Sequence, residues 1–335
     1  MEGEPVSREG TVEVVVLDEA GDDAGQMARD VRAGLASSPK DLSPWPKYFY
    51  DAEGSRLFEE IRAQPDDYQT GAELSILTDR SDEILARTGR RELVELGSGS
   101  ASKTRALIEA MFAANGPPPR YVPLDVSESA LRESGERLVS EYPGLEIEGF
   151  IGDFDRSLGR LLGRPSDRRR LVAFLGGTIG NFTPEKRGGF LKALRAGLRE
   201  GDRVLIGLDL VKDTRTLEAA YNDAAGVTAR FNRNMIRVIN RRLGAGLDPD
   251  LFSHRAVYNA AEERIEMWLH SEAEQATRTP NFEARFERGE GVRTEISAKF
   301  TRDSAARTFE EAGLEPLDLY TDPQSRFALA LGRGA

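Results

Sequence analysis

From Glu92 onward, short apolar runs alternate with amphipathic stretches: Leu93-Val94-Glu95-Leu96, Arg120-Tyr121-Val122-Pro123-Leu124-Asp125, Glu146 to Phe154, Arg170 to Gly176 and Arg203 to Asp209. Runs that are apolar at consecutive positions predict strands covered on both faces, and the intervening helices predict parallel pairing. Pro184 to Leu198 reads as one such helix, with Phe190, Leu191, Leu194 and Leu198 as its buried stripe. Upstream, Thr11 to Asp18 predicts an edge strand, and Asp23 to Leu35 a helix carrying Met27, Val31 and Leu35. Pro39, Pro44 and Pro46 interrupt it, and an aromatic-rich helical region follows through Tyr48-Phe49-Tyr50, Ser55 to Ile61 and Leu74 to Leu77. After Asp213 the rhythm breaks. Helices near Leu217 to Gly226 and Phe231 to Leu243 precede β-like segments at Arg264 to His270, Asn281 to Arg288 and Val292 to Phe300. A helix at Ser304 to Ala312 and a strand at Phe327 to Leu331 complete the sheet. The expected architecture is α/β, a doubly wound sheet formed by residues 86–213 plus 301–335. A second, discontinuous α+β unit is expected from residues 1–85 plus 214–300.

The turn after the first of these strands, Gly97-Ser98-Gly99-Ser100-Ala101-Ser102-Lys103-Thr104, is glycine-rich and leads into a helix. Missing Cβ atoms permit close backbone approach, and a helix N-terminus offers free N–H groups. Two further strands end in acids. Asp125 is placed to accept from ribose hydroxyls, while Asp153 and Phe154 are placed to meet an adenine amino group and ring face. The full G-x-G-x-x-G of dinucleotide enzymes is absent, since position 102 is Ser and Lys103 follows. This favours S-adenosylmethionine over NAD. Acids at strand ends also cap loops, a role each of these could fill on its own.

Of 335 residues 39% are hydrophobic, enough to bury one large core or two modest ones. A net charge of −11 argues against nucleic-acid or anionic-membrane partners. Arg168-Arg169-Arg170 reads as a solvated loop before a strand. With no cysteine there is no disulfide, thiolate nucleophile or Cys-based metal site. His254 and His270 are the only histidines and stand apart in sequence, so no metal is expected. Met1 to Gly10 carries no apolar signal core, and no run approaches the roughly 20 apolar residues of a membrane span. A cytoplasmic monomer acting on a small molecule is the expectation.

Several longer runs carry a specific resemblance: Lys47-Tyr48-Phe49-Tyr50-Asp51, Val94 to Gly99, Phe174-Leu175-Gly176-Gly177-Thr178-Ile179-Gly180-Asn181, Asp209 to Asp213, Ala224 to Thr228, Phe231 to Asn234, Glu263 to Leu269 and Thr294-Glu295-Ile296-Ser297. Over nearly its whole length the chain resembles the bacterial histidine-specific, S-adenosylmethionine-dependent methyltransferases of ergothioneine biosynthesis (EgtD). The resemblance implies a class I methyltransferase Rossmann-like sheet and transfer of three methyl groups to the α-nitrogen of L-histidine, giving hercynine. It also implies that Gly97, Lys103, Asp125, Asp153 and Phe154 contact the methyl donor. Asn181 and Tyr221 would anchor the α-amino and carboxylate groups, and Glu295 with Ser297 would face the imidazole. Tyr50 would meet the methylated ammonium, and Met267 would line the same pocket. No general base is identified.

The residues alone leave plainer roles open: a first-turn surface lysine at 103, a turn or cap at Asn181, a core tyrosine at 221, a polar strand face at Glu295 and Ser297. One departure stands out. Where relatives read Tyr-Tyr-x-Thr-Arg-x-Glu, this chain has Asp67-Tyr68-Gln69-Thr70-Gly71-Ala72-Glu73. Either Asp67 meets the substrate ammonium or Tyr68 takes over through a shifted loop. A related enzyme acting on tryptophan, or a noncatalytic S-adenosylmethionine-binding regulator, are the alternative readings.

Overall fold

The structure, a computed structural model, describes residues 11–17, 23–89, 92–114, 117–279 and 282–335. Met1 to Gly10, Asp18 and Asn281, read above, lie outside them. The first half of the chain runs through β1 (Thr11–Val16), α1 (Asp23–Ala36), β2 (Lys40–Asp41), α2 (Ala52–Arg62), α3 (Tyr68–Thr88), β3 (Glu92–Leu96), α4 (Arg105–Ala113), β4 (Arg120–Asp125), α5 (Glu128–Glu141), β5 (Glu146–Ile151), α6 (Phe154–Gly163) and β6 (Arg170–Phe174). It continues through α7 (Pro184–Gly197), β7 (Arg203–Asp209), α8 (Thr214–Ala219), α9 (Val227–Leu243), β8 (Phe252–Asn259), β9 (Arg264–Ser271), β10 (Gln275–Ala276), β11 (Arg285–Phe286), β12 (Gly291–Ala298), α10 (Arg302–Glu310), β13 (Leu314–Thr321) and β14 (Phe327–Gly334).

An eight-stranded sheet has the order β1-β5-β4-β3-β6-β7-β14-β13. Six strands are parallel, whereas β14 pairs antiparallel with β7 and β13 antiparallel with β14. Consecutive strand residues serve opposite faces: Val94, Val122 and Val172 enter one apolar cluster, and Leu93, Tyr121 and Leu171 the other. That is why these strands read as unbroken apolar runs. The chain leaves β3 for β4 on one side while β6 lies on the other, so the sheet order reverses at β3/β6. In open α/β sheets a crevice opens at such a point, outside the carboxyl ends of the strands.

A second sheet, β2-β12-β9-β8, is backed by α1, α9 and the turn at Pro46–Phe49. Met27, Val31, Phe49, Phe231, Met235, Ile239, Leu269 and Val292 form its core.

Several expectations are corrected. β1 pairs with β5 in the large sheet, and α3 contributes Ala72, Ile76, Leu77 and Ile84 to that sheet's core, so neither belongs with the second unit. α8 stops at Ala219, because Asp223 accepts from the N–H groups of Val227 and Thr228 and starts α9 there. β8 and β13 appear where no strand was read; Arg255 and His254 break the apolar pattern of the first, Pro316 that of the second. Between Phe282 and Arg288 only Arg285–Phe286 is strand.

Arg168 and Arg169 lie in the loop before β6, Arg169 exposed, but Arg170 departs from the solvated-loop reading. Arg170 is fully buried, donates to Asp202 at 2.6 and 2.8 Å, and satisfies the carbonyls of Leu162 and Gly197 at 2.7 and 2.9 Å. Removing one partner of a buried, hydrogen-bonded ion pair strands the other, at about 3–5 kcal/mol. Arg170→Ala is therefore expected to lower the calorimetric Tm by roughly ten degrees.

Candidate active site

The loops at the β3/β6 reversal and the central strands β9 and β12 of the smaller sheet line a cavity of about 880 Å³. Every residue that the sequence nominated lines it: Tyr50, Gly97, Lys103, Asp125, Asp153, Phe154, Asn181, Tyr221, Met267, Glu295 and Ser297. They arrive from eight separate stretches of chain.

At one end, Gly97 and Gly99 have φ of 70° and 50°, in the left-handed region that favours glycine. A Cβ on either would meet no protein atom within 4 Å, which leaves that face of the loop open to a ligand. The loop is held from β4: Gly97 N–H donates to the Leu124 carbonyl at 2.8 Å, and Gly99 N–H to Asp125 Oδ2 at 2.8 Å. Ser127 N–H donates to the other oxygen of Asp125 at 2.9 Å. Burial raises the pKa of Asp125, against these backbone donors. Asp153 caps α6 by accepting from Asp155 N–H at 3.0 Å and pairs with Lys47 at 3.0 Å. Phe154 packs edge-on to Phe174, with ring centroids 5.5 Å apart.

Lys103 is not in the first turn of a helix, as expected, since α4 begins at Arg105. Its ammonium donates to Glu73, a fully buried carboxylate on α3 that also accepts from Gly176 N–H at 2.8 and 3.0 Å. This ties the glycine loop to the turn after β6. Glu95, on β3, accepts from Thr104 Oγ1 at 2.6 Å and from the Tyr121 hydroxyl, and burial pushes its pKa up to about 7.

At the other end, Glu295 and Ser297 project from the same face of β12. The turn Thr178–Asn181 presses against this strand: a Cβ on Gly180 would come within 3.0 Å of the Ala298 carbonyl oxygen. That approach brings the Asn181 amide onto Glu295. Burial pushes Glu295 up to about 7, although Lys299 and the Asn181 hydrogen bond pull it down. Tyr221 follows α8 and donates to Ser297 Oγ at 2.8 Å, while Gln69 Nε2 donates to it at 3.1 Å. Tyr50 packs edge-on to Phe58 and Phe231 at 5.5 and 5.7 Å. Tyr50 is 38% exposed, and its hydroxyl lies near Glu295, Tyr221 and Asp125; loss of hydration first, then these neighbours, raise its pKa, so it stays a neutral phenol.

At the departure from relatives, Asp67 lines the cavity and caps α3, accepting from Gln69 N–H at 3.0 Å and from the Thr70 hydroxyl at 2.6 Å. Tyr68 points elsewhere, donating to Asp209 at 2.8 Å and accepting from Lys212 at 2.9 Å. Gly71 is exposed, and an added Cβ would meet nothing within 4 Å. Lys47, Gln69, Glu73 and Glu95 were not nominated by sequence reasoning. Each acts through a partner at least nine residues away, and the runs Lys47 to Asp51, Asp67 to Glu73 and Val94 to Gly99 contain all four without assigning them a role.

A family model described as "Histidine-specific methyltransferase, SAM-dependent" matches residues 27–333. The chain belongs to this family. Among its relatives is a histidine N-alpha-methyltransferase of Mycolicibacterium smegmatis, 48% identical over 315 residues, which cover 93% of this chain and 96% of that protein. Ergothioneine biosynthesis protein 1 of Schizosaccharomyces pombe is 30% identical over 64% of this chain, a match spanning 30% of that protein. An L-tryptophan methyltransferase of Psilocybe serbica is 27% identical over 88% of this chain and 84% of that protein. Among the described residues, no helix is long and apolar enough to cross a membrane.

A raised Glu295 pKa also makes a stability prediction for the ligand-free protein. Its folded value near 7 lies above the ordinary 4.5, so the favourable contribution is complete below 4.5 and is lost as pH rises through 7. Between pH 4.5 and 8 the protein should lose about 3 kcal/mol relative to Glu295→Gln. Glu95 shifts similarly but is present in both proteins and cancels; thermal melts of the pair across this range check the difference.

Proposed function

We propose that this protein is an L-histidine Nα-methyltransferase that moves three methyl groups from S-adenosylmethionine to the substrate amine and yields hercynine, within ergothioneine biosynthesis. The observation that carries the reading is the pairing of Glu295 and Ser297 on one strand face with Asn181 and Tyr221, inside the cavity whose other end is the glycine loop and Asp125. The similarity to the mycolicibacterial histidine N-alpha-methyltransferase supports the same reading.

In this assignment Gly97 and Gly99 admit the donor against bare backbone, Asp125 accepts from the ribose hydroxyls, and Asp153 and Phe154 meet the adenine. Lys103, anchored by Glu73, supplies a positive charge for the donor's carboxylate. Asn181 holds the amino and carboxylate groups of the substrate, Glu295 with Ser297 hold its imidazole, and Tyr221, whose hydroxyl donates to Ser297 and accepts from Gln69 and Lys299, backs that end of the pocket. S-adenosylmethionine supplies a methyl group already activated on a sulfonium, so the chain's task is alignment and exclusion of water. The neutral Tyr50 ring, braced by Phe58 and Phe231, faces the cationic methylated amine, a contact of roughly 0.5–2 kcal/mol. Both oxygens of Asp67 are engaged at the start of α3, Oδ1 by backbone N–H groups and Oδ2 by the Thr70 hydroxyl, which leaves one lone pair of Oδ2 for the substrate ammonium.

The packing supports a revised division of the described residues, with those of 11–17, 68–213 and 301–335 in a donor-binding unit and those of 23–62 and 214–300 in a substrate-binding unit. Quantifying S-adenosylhomocysteine against histidine consumed tests the stoichiometry. Three equivalents per histidine are expected, and one equivalent with monomethylated product would contradict it.

A further inference from the structure

Lys299 lies just past β12, behind the cavity wall, with its side chain fully buried. An ammonium has three donors and no acceptor. All three are spent: on Asp209 Oδ2 at 2.7 Å, Ser297 Oγ at 2.8 Å and the Tyr221 hydroxyl at 3.2 Å. Asp209 is held in turn by Tyr68 at 2.8 Å and Lys212 at 2.6 Å. Burial pulls the Lys299 pKa down, but the charge of Asp209 with Tyr221 more than offsets it, so the ammonium persists.

The hydrogens of this cluster can be counted. The Tyr221 oxygen accepts from Lys299 and from Gln69, so its own proton is left to donate, and it goes to Ser297. Ser297 Oγ then accepts from both Lys299 and Tyr221, which fills its two lone pairs. Only its proton remains, directed to the cavity that Ser297 lines.

We propose that Lys299 is a specificity-positioning residue. By occupying Ser297 and Tyr221 as acceptors, it makes Ser297 a donor toward the ligand. Beside Glu295, an acceptor, this donor reads a neutral imidazole with one N–H and one bare nitrogen. An indole satisfies Glu295 alone and strands the Ser297 proton; an imidazolium presents a second N–H to it. The inference rests on the histidine reading and adds which protonation pattern of the ring the site selects, and through which buried residue.

Two measurements test it. First, ¹⁵N NMR of labelled histidine bound to the unmodified protein with S-adenosylhomocysteine should show one protonated and one bare ring nitrogen. Second, selectivity is read as the kcat/KM ratio of histidine over its two pyrrole isosteres, in which one or the other ring nitrogen is replaced by C–H. Lys299→Met should lower that ratio about tenfold for the isostere lacking the bare nitrogen, and should have little further effect in a Ser297→Ala background. Unchanged S-adenosylhomocysteine affinity shows that the variant is folded. Two protonated ring nitrogens, or an unchanged ratio in folded Lys299→Met, would overturn the assignment while leaving the histidine reading intact. If Lys299→Met loses the cofactor product, the NMR result on the unmodified protein decides. Absence of histidine binding to that protein overturns the histidine reading and this inference together.

Discussion

Glu295→Ala is expected to lower kcat/KM for histidine by about a hundredfold or more while leaving S-adenosylmethionine affinity within roughly twofold. The carboxylate is desolvated, held by the Asn181 amide, and stands on β12 of the smaller sheet, whereas the glycine loop follows β3 of the large one. Its loss leaves the imidazole N–H without an acceptor in a closed site and also frees Asn181, which on this reading orients the amino acid. Sites built to hydrogen-bond a substrate group discriminate strongly because the orphaned partner stays buried. Steady-state kinetics with calorimetric titration of the cofactor separate the two effects. Unchanged histidine kinetics would remove the imidazole assignment.

The second large effect is expected at Asp125. Its two oxygens fasten the glycine loop through Gly99 N–H and the start of α5 through Ser127 N–H, and each retains a lone pair for a ribose hydroxyl. Asp125→Ala removes the anchor of the loop and, on the proposed reading, two charge-assisted hydrogen bonds to the ligand, each worth about 1.5–3 kcal/mol. S-adenosylmethionine affinity should fall by roughly 10²–10³-fold. Asp125→Asn, which keeps one acceptor oxygen, should fall between that variant and the unmodified protein. Titration calorimetry reads both, and a change below about threefold in Asp125→Ala would move the ribose elsewhere.

The large sheet was legible because strands buried on both faces show consecutive apolar residues, and their acids at 125 and 153 fall where the strands end. β8 and β13 were not, since an edge strand with one wet face tolerates Arg255, and a bulge tolerates Pro316. The burial of Arg170 was hidden because its partner Asp202 lies 32 residues on and two of its acceptors are backbone carbonyls. At the site, nominated residues other than Tyr221 were those in contiguous motifs or at strand ends. In the polar layer behind them, Glu73 beneath Lys103 and Lys299–Asp209 beneath Ser297 and Tyr221, Glu73 and Asp209 fall within quoted runs, but their pairings are made across the fold and have no local signature. That layer sets which atoms donate and which accept, so the part of the site that was unreadable is the part that tunes selection.

The most direct test of the central claim is mass spectrometry of the products formed when the purified protein is incubated with S-adenosylmethionine and an equimolar mixture of the common amino acids. Histidine carrying three added methyl groups on its α-nitrogen is the expected product. Methylation of another amino acid, tryptophan included, with histidine untouched would contradict it.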